Sequence, residues 1–230
     1  MHIMEGFLPL IWVIIWFALS MPFVLYGIIE MRKLFREHPE QKMILAVAGA
    51  FIFVLSSLKL PSVTGSSSHP TGTGLSSVLF GPSITSVMAT IVLVFQAVLL
   101  AHGGLTTLGA NVFSMGIAGP FVGWLAFKGM RKAKAGMTPS IFVAAVLADW
   151  ATYVVTSIQL ALAYPGANIL SSFAAFATVF AITQVPLAIG EGILIAIFFD
   201  FLASSRPRMV ASILKEKAGM ATPESQGAAQ

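Results

Sequence analysis

Apolar runs of about 18 residues or more recur along the whole chain, each long enough to cross a hydrocarbon layer about 30 Å thick as a helix. This feature removes most folds from consideration. Lipid offers the backbone no hydrogen-bond partner, so spanning segments must satisfy their amides internally, as helices do. Only 10% of the 230 residues are charged and 57% are hydrophobic, whereas about one-quarter of a soluble domain is charged. With a mean hydropathy of +0.90, the sequence reads as an all-α integral membrane protein built as one bundle.

Spans are expected at roughly 7–29, 43–58, 84–101, 105–127, 139–163 and 173–202. Arg32, Lys33, Arg36 and Lys42 form one basic cluster; Lys128, Arg131, Lys132 and Lys134 form a second; Arg206, Arg208, Lys215 and Lys217 form a third. Lys and Arg in short loops mark the cytoplasmic side. Six crossings would leave the second cluster outside, and an additional short segment between residues 59 and 83 brings all three inside. Gly72–Phe80, rich in Gly and Ser and bounded by Pro70 and Pro82, is the candidate, read as a broken or re-entrant helix packed against protein. The expectation is about seven transmembrane segments, with one short or broken around 70–82, the N-terminus outside and the C-terminus cytoplasmic.

On that topology residues 1–203 form a membrane-embedded domain. Residues 204–230 form a cytoplasmic polar tail, expected to be disordered beyond about 218. Met1–Gly6 carries no basic residue and the apolar run continues to about Ile29, so the first segment is expected to remain rather than be removed as a signal peptide.

The net charge of +4 and pI near 9.6 do not point to nucleic acid, because the basic residues sit between apolar segments and not on one soluble face. Cysteine is absent, which excludes disulfides and thiolate metal sites. A bound metal must use nitrogen or oxygen, with Met sulfur as a soft option.

The opening Met1-His2-Ile3-Met4-Glu5-Gly6-Phe7-Leu8-Pro9 supplies such nitrogens. The Met1 amine, the His2 backbone nitrogen and His2 Nδ1 are spaced to close a five-membered and a six-membered chelate ring on one ion. A bulky second residue keeps the initiator methionine in place, and the amine is free once deformylated. These nitrogens lie nearly in a plane, and a second imidazole can complete it; nitrogen ligands in such an array favour Ni(II) or Cu(II), with Co(II) just below Ni(II) in intrinsic affinity. The alternative is a solvated terminal residue without a task.

The stretch Lys59–Leu75 is rich in Gly, Pro, Ser and Thr, and contains His69, the candidate fourth ligand; otherwise His69 is an exposed loop histidine. His102, followed by Gly103-Gly104-Leu105-Thr106-Thr107, is a candidate to orient His69 or a ligating backbone group, although helix packing alone also accounts for the Gly, Thr and Asn that follow it. Asp149 and Glu191 are intramembrane carboxylates. A proton-coupled carrier or membrane enzyme could use them, but helix-to-helix hydrogen bonding is the preferred reading. Ala46, Gly49 and Ala50 give the second span a face suited to close helix packing. No phosphate-cradling Gly-Lys-Ser/Thr loop is present, so the chain is not expected to be an ATPase; zincin and nucleophile-elbow motifs are equally missing.

Met1–Pro9, Pro61–Gly65, His69–Leu75 and Gln96–Met115 resemble, in order, the CbiM/NikM family of substrate-binding subunits from energy-coupling-factor transporters, and the similarity runs from residue 1 to about 202. The resemblance implies a module, itself no enzyme, that captures Co(II) or Ni(II) outside the cell at the plasma (inner) membrane. It implies partners: a transmembrane coupling subunit, ATP-binding-cassette ATPases and a small accessory membrane subunit. It also implies metal ligation by Met1, His2 and His69. From the residues themselves, Ser67, Ser68, Thr71, His102 and Asn111 are candidate supporting residues. Many family members carry Cys where this chain has Ser67. The opening Met-His-Ile-Met-Glu-Gly is closer to the cobalt branch, which feeds corrinoid synthesis.

Overall fold

In the computed structural model, residues 2–62 and 65–217 are described; Met1 and the segment beyond 217 lie outside them. Six helices among the described residues are long and apolar enough to cross a membrane, and the chain is a multi-pass membrane protein. After a two-residue strand β1 (His2–Ile3), Pro9 introduces α1 (Leu10–Glu37), and a single 3-10 turn leads to α2 (Lys42–Ser57). Two short strands follow, β2 (Leu60–Pro61) and β3 (Ser66–Ser68), before α3 (Thr73–Leu100). A short α4 (Leu108–Asn111) passes through π-helical turns over Val112–Ala118 into α5 (Gly119–Lys132). The chain closes with α6 (Met137–Ala163), α7 (Ile169–Ser205) and α8 (Pro207–Lys217). At the start of α7 the Asn168 side chain accepts a hydrogen bond from the Ser171 amide at 2.8 Å, satisfying one of the free amides of that helix end.

The bundle wears its large apolar side chains outward: Leu10, Ile14, Leu99, Leu170, Ile182 and Phe201 are exposed, as contact with lipid tails requires. Its interior is threaded with polar groups bonded from helix to helix. Gln96 Nε2 donates to Ser56 Oγ at 2.7 Å, Gln159 Nε2 to the Ala110 carbonyl at 3.0 Å, and Ser20 Oγ to the Gly109 carbonyl at 2.8 Å. Without water to compete, such bonds register one helix against another.

The expected short segment is present, and its form explains the count. Helix α3 breaks at Gly81, whose φ of 81° and ψ of 166° lie outside any helix and favour a residue without a side chain. Ser76 Oγ stands 2.9 Å from Thr85 Oγ1, nine positions along; in a straight helix that separation would be about 13 Å. The two arms therefore fold back on one another across Gly81-Pro82. The first arm, Thr73–Phe80, is about 12 Å long and wholly buried, so it packs against protein and does not cross lipid on its own. It is reached by a connection that descends from the end of α2 into the bundle, and Gly72, with a φ of 70°, lies so close to the Ile52 Cα that a Cβ there would be 2.8 Å away.

Two features differ from expectation. Arg32, Lys33 and Arg36 lie on the last turns of α1, and Lys128, Arg131 and Lys132 on those of α5, where loops were expected. Continuing the helix keeps the backbone hydrogen-bonded, and long basic side chains suit a helix end that emerges from lipid. The second is a three-stranded sheet in the order β1-β3-β2, for which the helical sequence pattern gives no hint. Helix α8 packs Val210 and Ile213 into the bundle interior; the disorder expected beyond 218 falls outside the described residues.

Candidate metal centre

The site begins with backbone pairing. β1 and β3 run antiparallel, with His2 opposite Ser67 and Ile3 opposite Ser66, and Met4 N–H donates to the Gly65 carbonyl at 2.9 Å. The opposite edge of β1 meets α4. Asn111 Oδ1 accepts from Ile3 N–H at 2.7 Å while Asn111 Nδ2 donates to the Ile3 carbonyl at 3.0 Å, so one side-chain amide imitates a neighbouring strand. Thr107 Oγ1 donates to the same carbonyl at 2.7 Å. The Glu5 carboxylate accepts from Thr106 N–H at 3.2 Å, and the hydrogen bonding by Thr106 holds it below its usual range. Gly104 permits this turn, because a Cβ there would collide with Glu5.

These contacts bury His2 and Ile3 completely, and the same pocket takes His69 at 0% and His102 at 3% exposure. The His2 ring centroid lies 4.3 Å from that of His69 and 4.2 Å from that of His102. One nitrogen from each of the three rings lies within 4.8 Å of the others. Nitrogens bonded to one ion at about 2.0–2.1 Å stand about 3 Å apart in adjacent positions and about 4 Å apart in opposite ones, so the rings must draw closer to ligate one metal together.

The ring nitrogens are available. His69 Nδ1–H donates to the Pro70 carbonyl at 2.8 Å, a bond that leaves the lone pair on Nε2. His69 Nε2, both nitrogens of His2, and His102 Nδ1 are buried with no hydrogen-bond partner among the described residues. Burial is the main cause holding all three imidazoles below their ordinary value of about 6.5; nearby positive charge adds to it, from the other rings at His2 and His69 and from the N-terminal amine and Lys59 at His102, which is lowered to about 4. At neutral pH they are uncharged donors, as metal ligation requires.

Helices α6 and α7 clamp the loop carrying His69. Gln184 Nε2 donates to the His69 carbonyl at 2.9 Å and to Asp149 at 2.7 Å. Glu191 accepts from the Thr71 amide at 2.5 Å, the Thr71 hydroxyl at 2.9 Å and the Gly72 amide at 2.7 Å, capping the buried start of α3. Both intramembrane carboxylates thus bond between elements of the bundle.

Comparison with known proteins places this arrangement. A family described as the CbiM cobalt uptake substrate-specific transmembrane region matches residues 2–209. The chain belongs to the CbiM family. It is 58% identical over 219 residues to a putative cobalt transport protein CbiM of Methanococcus voltae, covering 95% of this chain and 98% of that one. It is also 58% identical over 203 residues to the cobalt transport protein CbiM of Carboxydothermus hydrogenoformans, covering 88% and 83%. These relatives are named as transport proteins, not enzymes. Crystal structures of a transition metal transporter and of a truncated one share the fold, with TM-scores of 0.79 and 0.77 at 22% and 24% identity; they cover 95% and 89% of this chain and 99% of each of those.

Within this CbiM chain the sequence-predicted residues divide. His2, His69 and His102 converge, and Ser67 Oγ sits 2.9 Å from His102 Nε2. Asn111 acts on the backbone of Ile3. Ser68 and Thr71 face away from the rings: Ser68 Oγ pairs with Thr183 Oγ1 at 2.8 Å, and Thr71 serves Glu191. Met1 lies outside the described residues. Sequence reasoning did not single out Thr107, in the turn before α4, or Gln184, on apolar α7, as supports of the site; neither carries a motif, and the partner of each is distant in the chain.

Asn111→Leu removes both of its hydrogen bonds to Ile3 and leaves the Ile3 amide unpaired, with the carbonyl held by Thr107 alone. Metal affinity of the purified variant is expected to fall about 10- to 100-fold, as for residues that orient metal ligands, with the bundle still folded by circular dichroism. Unchanged affinity in a metal titration would show that the Asn111 bonds do not position His2.

Proposed function

We propose that the chain is the substrate-capture subunit of an energy-coupling-factor importer for Co(II), which it binds at the outer face for uptake and cobalamin synthesis. The observation that carries this reading is the buried trio of imidazoles with free, converging nitrogens, in a chain of the CbiM family. The ligands are the Met1 amine, the His2 backbone nitrogen, His2 Nδ1 and His69 Nε2. The named relatives support cobalt. Ni(II) is the second reading, favoured by the planar set of four nitrogens.

The three basic clusters support an orientation with the histidines outside. Tyr164 hydroxyl donates to the Phe7 carbonyl, so the α6–α7 turn shares the end of the bundle that holds β1. The basic ends of α1 and α5 and Arg206 beyond α7 therefore lie at the other end, which the charge rule puts in the cytoplasm of the inner membrane together with residues 204–230. Residues 1–203 form the metal-binding domain.

Without an ATP site of its own, the chain depends on a transmembrane coupling subunit and ATP-binding-cassette ATPases, with a small accessory membrane subunit. Ala46, Gly49 and Ala50 line a groove of about 300 Å³ between α2 and α3, a shape into which a coupling helix can pack closely. Reconstituted alone in vesicles, the chain is expected to bind Co(II) without accumulating it. Adding the coupling subunit and ATPases with ATP should start uptake. ATP-independent accumulation by the chain alone would overturn the dependence.

A further inference from the structure

We infer that His102 supplies a fifth, axial nitrogen to the captured ion and sets the preference for Co(II) over Ni(II). The inference rests on the ligand set proposed above and adds to it.

The His102 ring is placed differently from the other two. The His2 and His69 rings are inclined at 30° to one another, whereas His102 stands nearly perpendicular to His69 at 84° and close to both. It therefore approaches from its own direction. Its Nδ1 is buried without a partner among the described residues, a costly state for a ring nitrogen that has nothing to bind. Its other nitrogen is held by Ser67 Oγ at 2.9 Å; when that hydroxyl accepts from Nε2–H, the lone pair resides on Nδ1. Metal-ligating histidines generally have the second nitrogen anchored in this way.

The backbone supports the same conclusion. Ala101, one residue before the histidine, has a φ of 47°, a left-handed conformation that residues with a side chain adopt at some cost. The His102 amide then closes the end of α3 on the Gln96 carbonyl at 3.1 Å. Gly103, with a φ of 77°, follows, and a Cβ on it would stand 3.2 Å from His2 Cδ2. A helix end this distorted delivers the ring into the pocket and not onto the surface.

The chemistry of the two ions gives this placement a purpose. Ni(II), with eight d electrons, is well served by a plane of four strong nitrogen donors and gains little from a fifth. Co(II), with seven, retains room along the axis and accepts another nitrogen. Intrinsic affinity runs from Co(II) up to Ni(II), so discrimination in favour of cobalt has to come from geometry. An axial imidazole supplies that geometry here.

X-ray absorption on the wild-type chain loaded with each metal in turn tests the inference directly. The expected Co(II) spectrum is five-coordinate with three imidazoles; the expected Ni(II) spectrum keeps the planar edge feature with two. His102→Ala should lower Co(II) affinity about tenfold or more and leave Ni(II) within about threefold, moving the Co/Ni ratio about tenfold toward nickel. Four-coordinate Co(II) with two imidazoles in the wild type overturns the inference, whatever the variant does. Failure of the wild type to bind either ion removes the metal centre itself, a separate result.

Discussion

Replacing His2 or His69 with alanine is expected to abolish stoichiometric Co(II) or Ni(II) binding in the purified protein. Structural Zn(II) in small peptides is held with about 10–16 kcal/mol, and on that scale one ligand of four is worth about 2.5–4 kcal/mol, or roughly 10²- to 10³-fold in affinity. For His2 this loss need not be accompanied by a loss of fold. Neither ring nitrogen of His2 has a hydrogen-bond partner among the described residues, so alanine removes unsatisfied polar atoms from the interior and breaks no bond that they make. The metal-free variant should therefore unfold at a temperature close to that of the wild type. His69 also loses the bond from Nδ1 to the Pro70 carbonyl, and a modest drop in stability is expected there.

The metal-free protein also carries a pH signature of the same residues. Burial keeps the folded imidazoles neutral well below their ordinary range, while the unfolded chain protonates them near about 6.5. The unfolded state then binds more protons, so stability is full above about pH 6.5 and declines as the pH falls toward the folded values. His2→Ala should flatten part of that decline. Full affinity retained in either alanine variant, measured by metal titration, would sink the ligand assignment.

Much of the architecture was legible because membrane chains obey few and strong rules. Apolar length announced the helices, and the need to keep Lys128, Arg131 and Lys132 on the same side as Arg32 and Lys33 required one more segment before Ser83. The hairpin of α3 at Gly81-Pro82 is that segment, and by its parity it returns His102 to the end where His2 and His69 lie. Other features left no trace. The pairing of His2 with Ser67 joins residues far apart through backbone atoms, which every sequence possesses. Gln184 and Glu191 hold the His69 loop from α7 by hydrogen bonds to amides and a carbonyl, so the residues that they support show no complementary pattern. Ser68 and Thr71 resembled supports of the site by proximity along the chain, whereas alternation in the short strand and the descent toward α3 direct them to α7.

Blocking the amine of Met1 is expected to be as damaging as removing an imidazole. An added residue, or a retained formyl group, turns the amine into an amide nitrogen, which like that of His2 binds only after losing its proton, so a readily available donor at neutral pH is replaced by a reluctant one. Sliding β1 cannot compensate. Ile3 is bonded to Asn111 on one edge, His2 faces Ser67 on the other, and a shift by one residue would exchange the buried and opposite faces of the strand. Affinity should fall about 10³-fold, by the same division of a site's free energy among its ligands. The protons released by binding identify the atoms involved. Because burial already keeps the imidazoles neutral, protons come from the amine, whose ordinary value is about 7.7–8.0, and from the His2 amide. The logarithm of the affinity should therefore rise by about two per pH unit below that value and by about one above it. Metal titration between pH 6 and 8.5, beside intact-mass measurement of the same sample, reads both. A blocked terminus that still carries one tightly bound ion, or an affinity indifferent to pH across this range, would mean that the ion is held by the imidazoles alone.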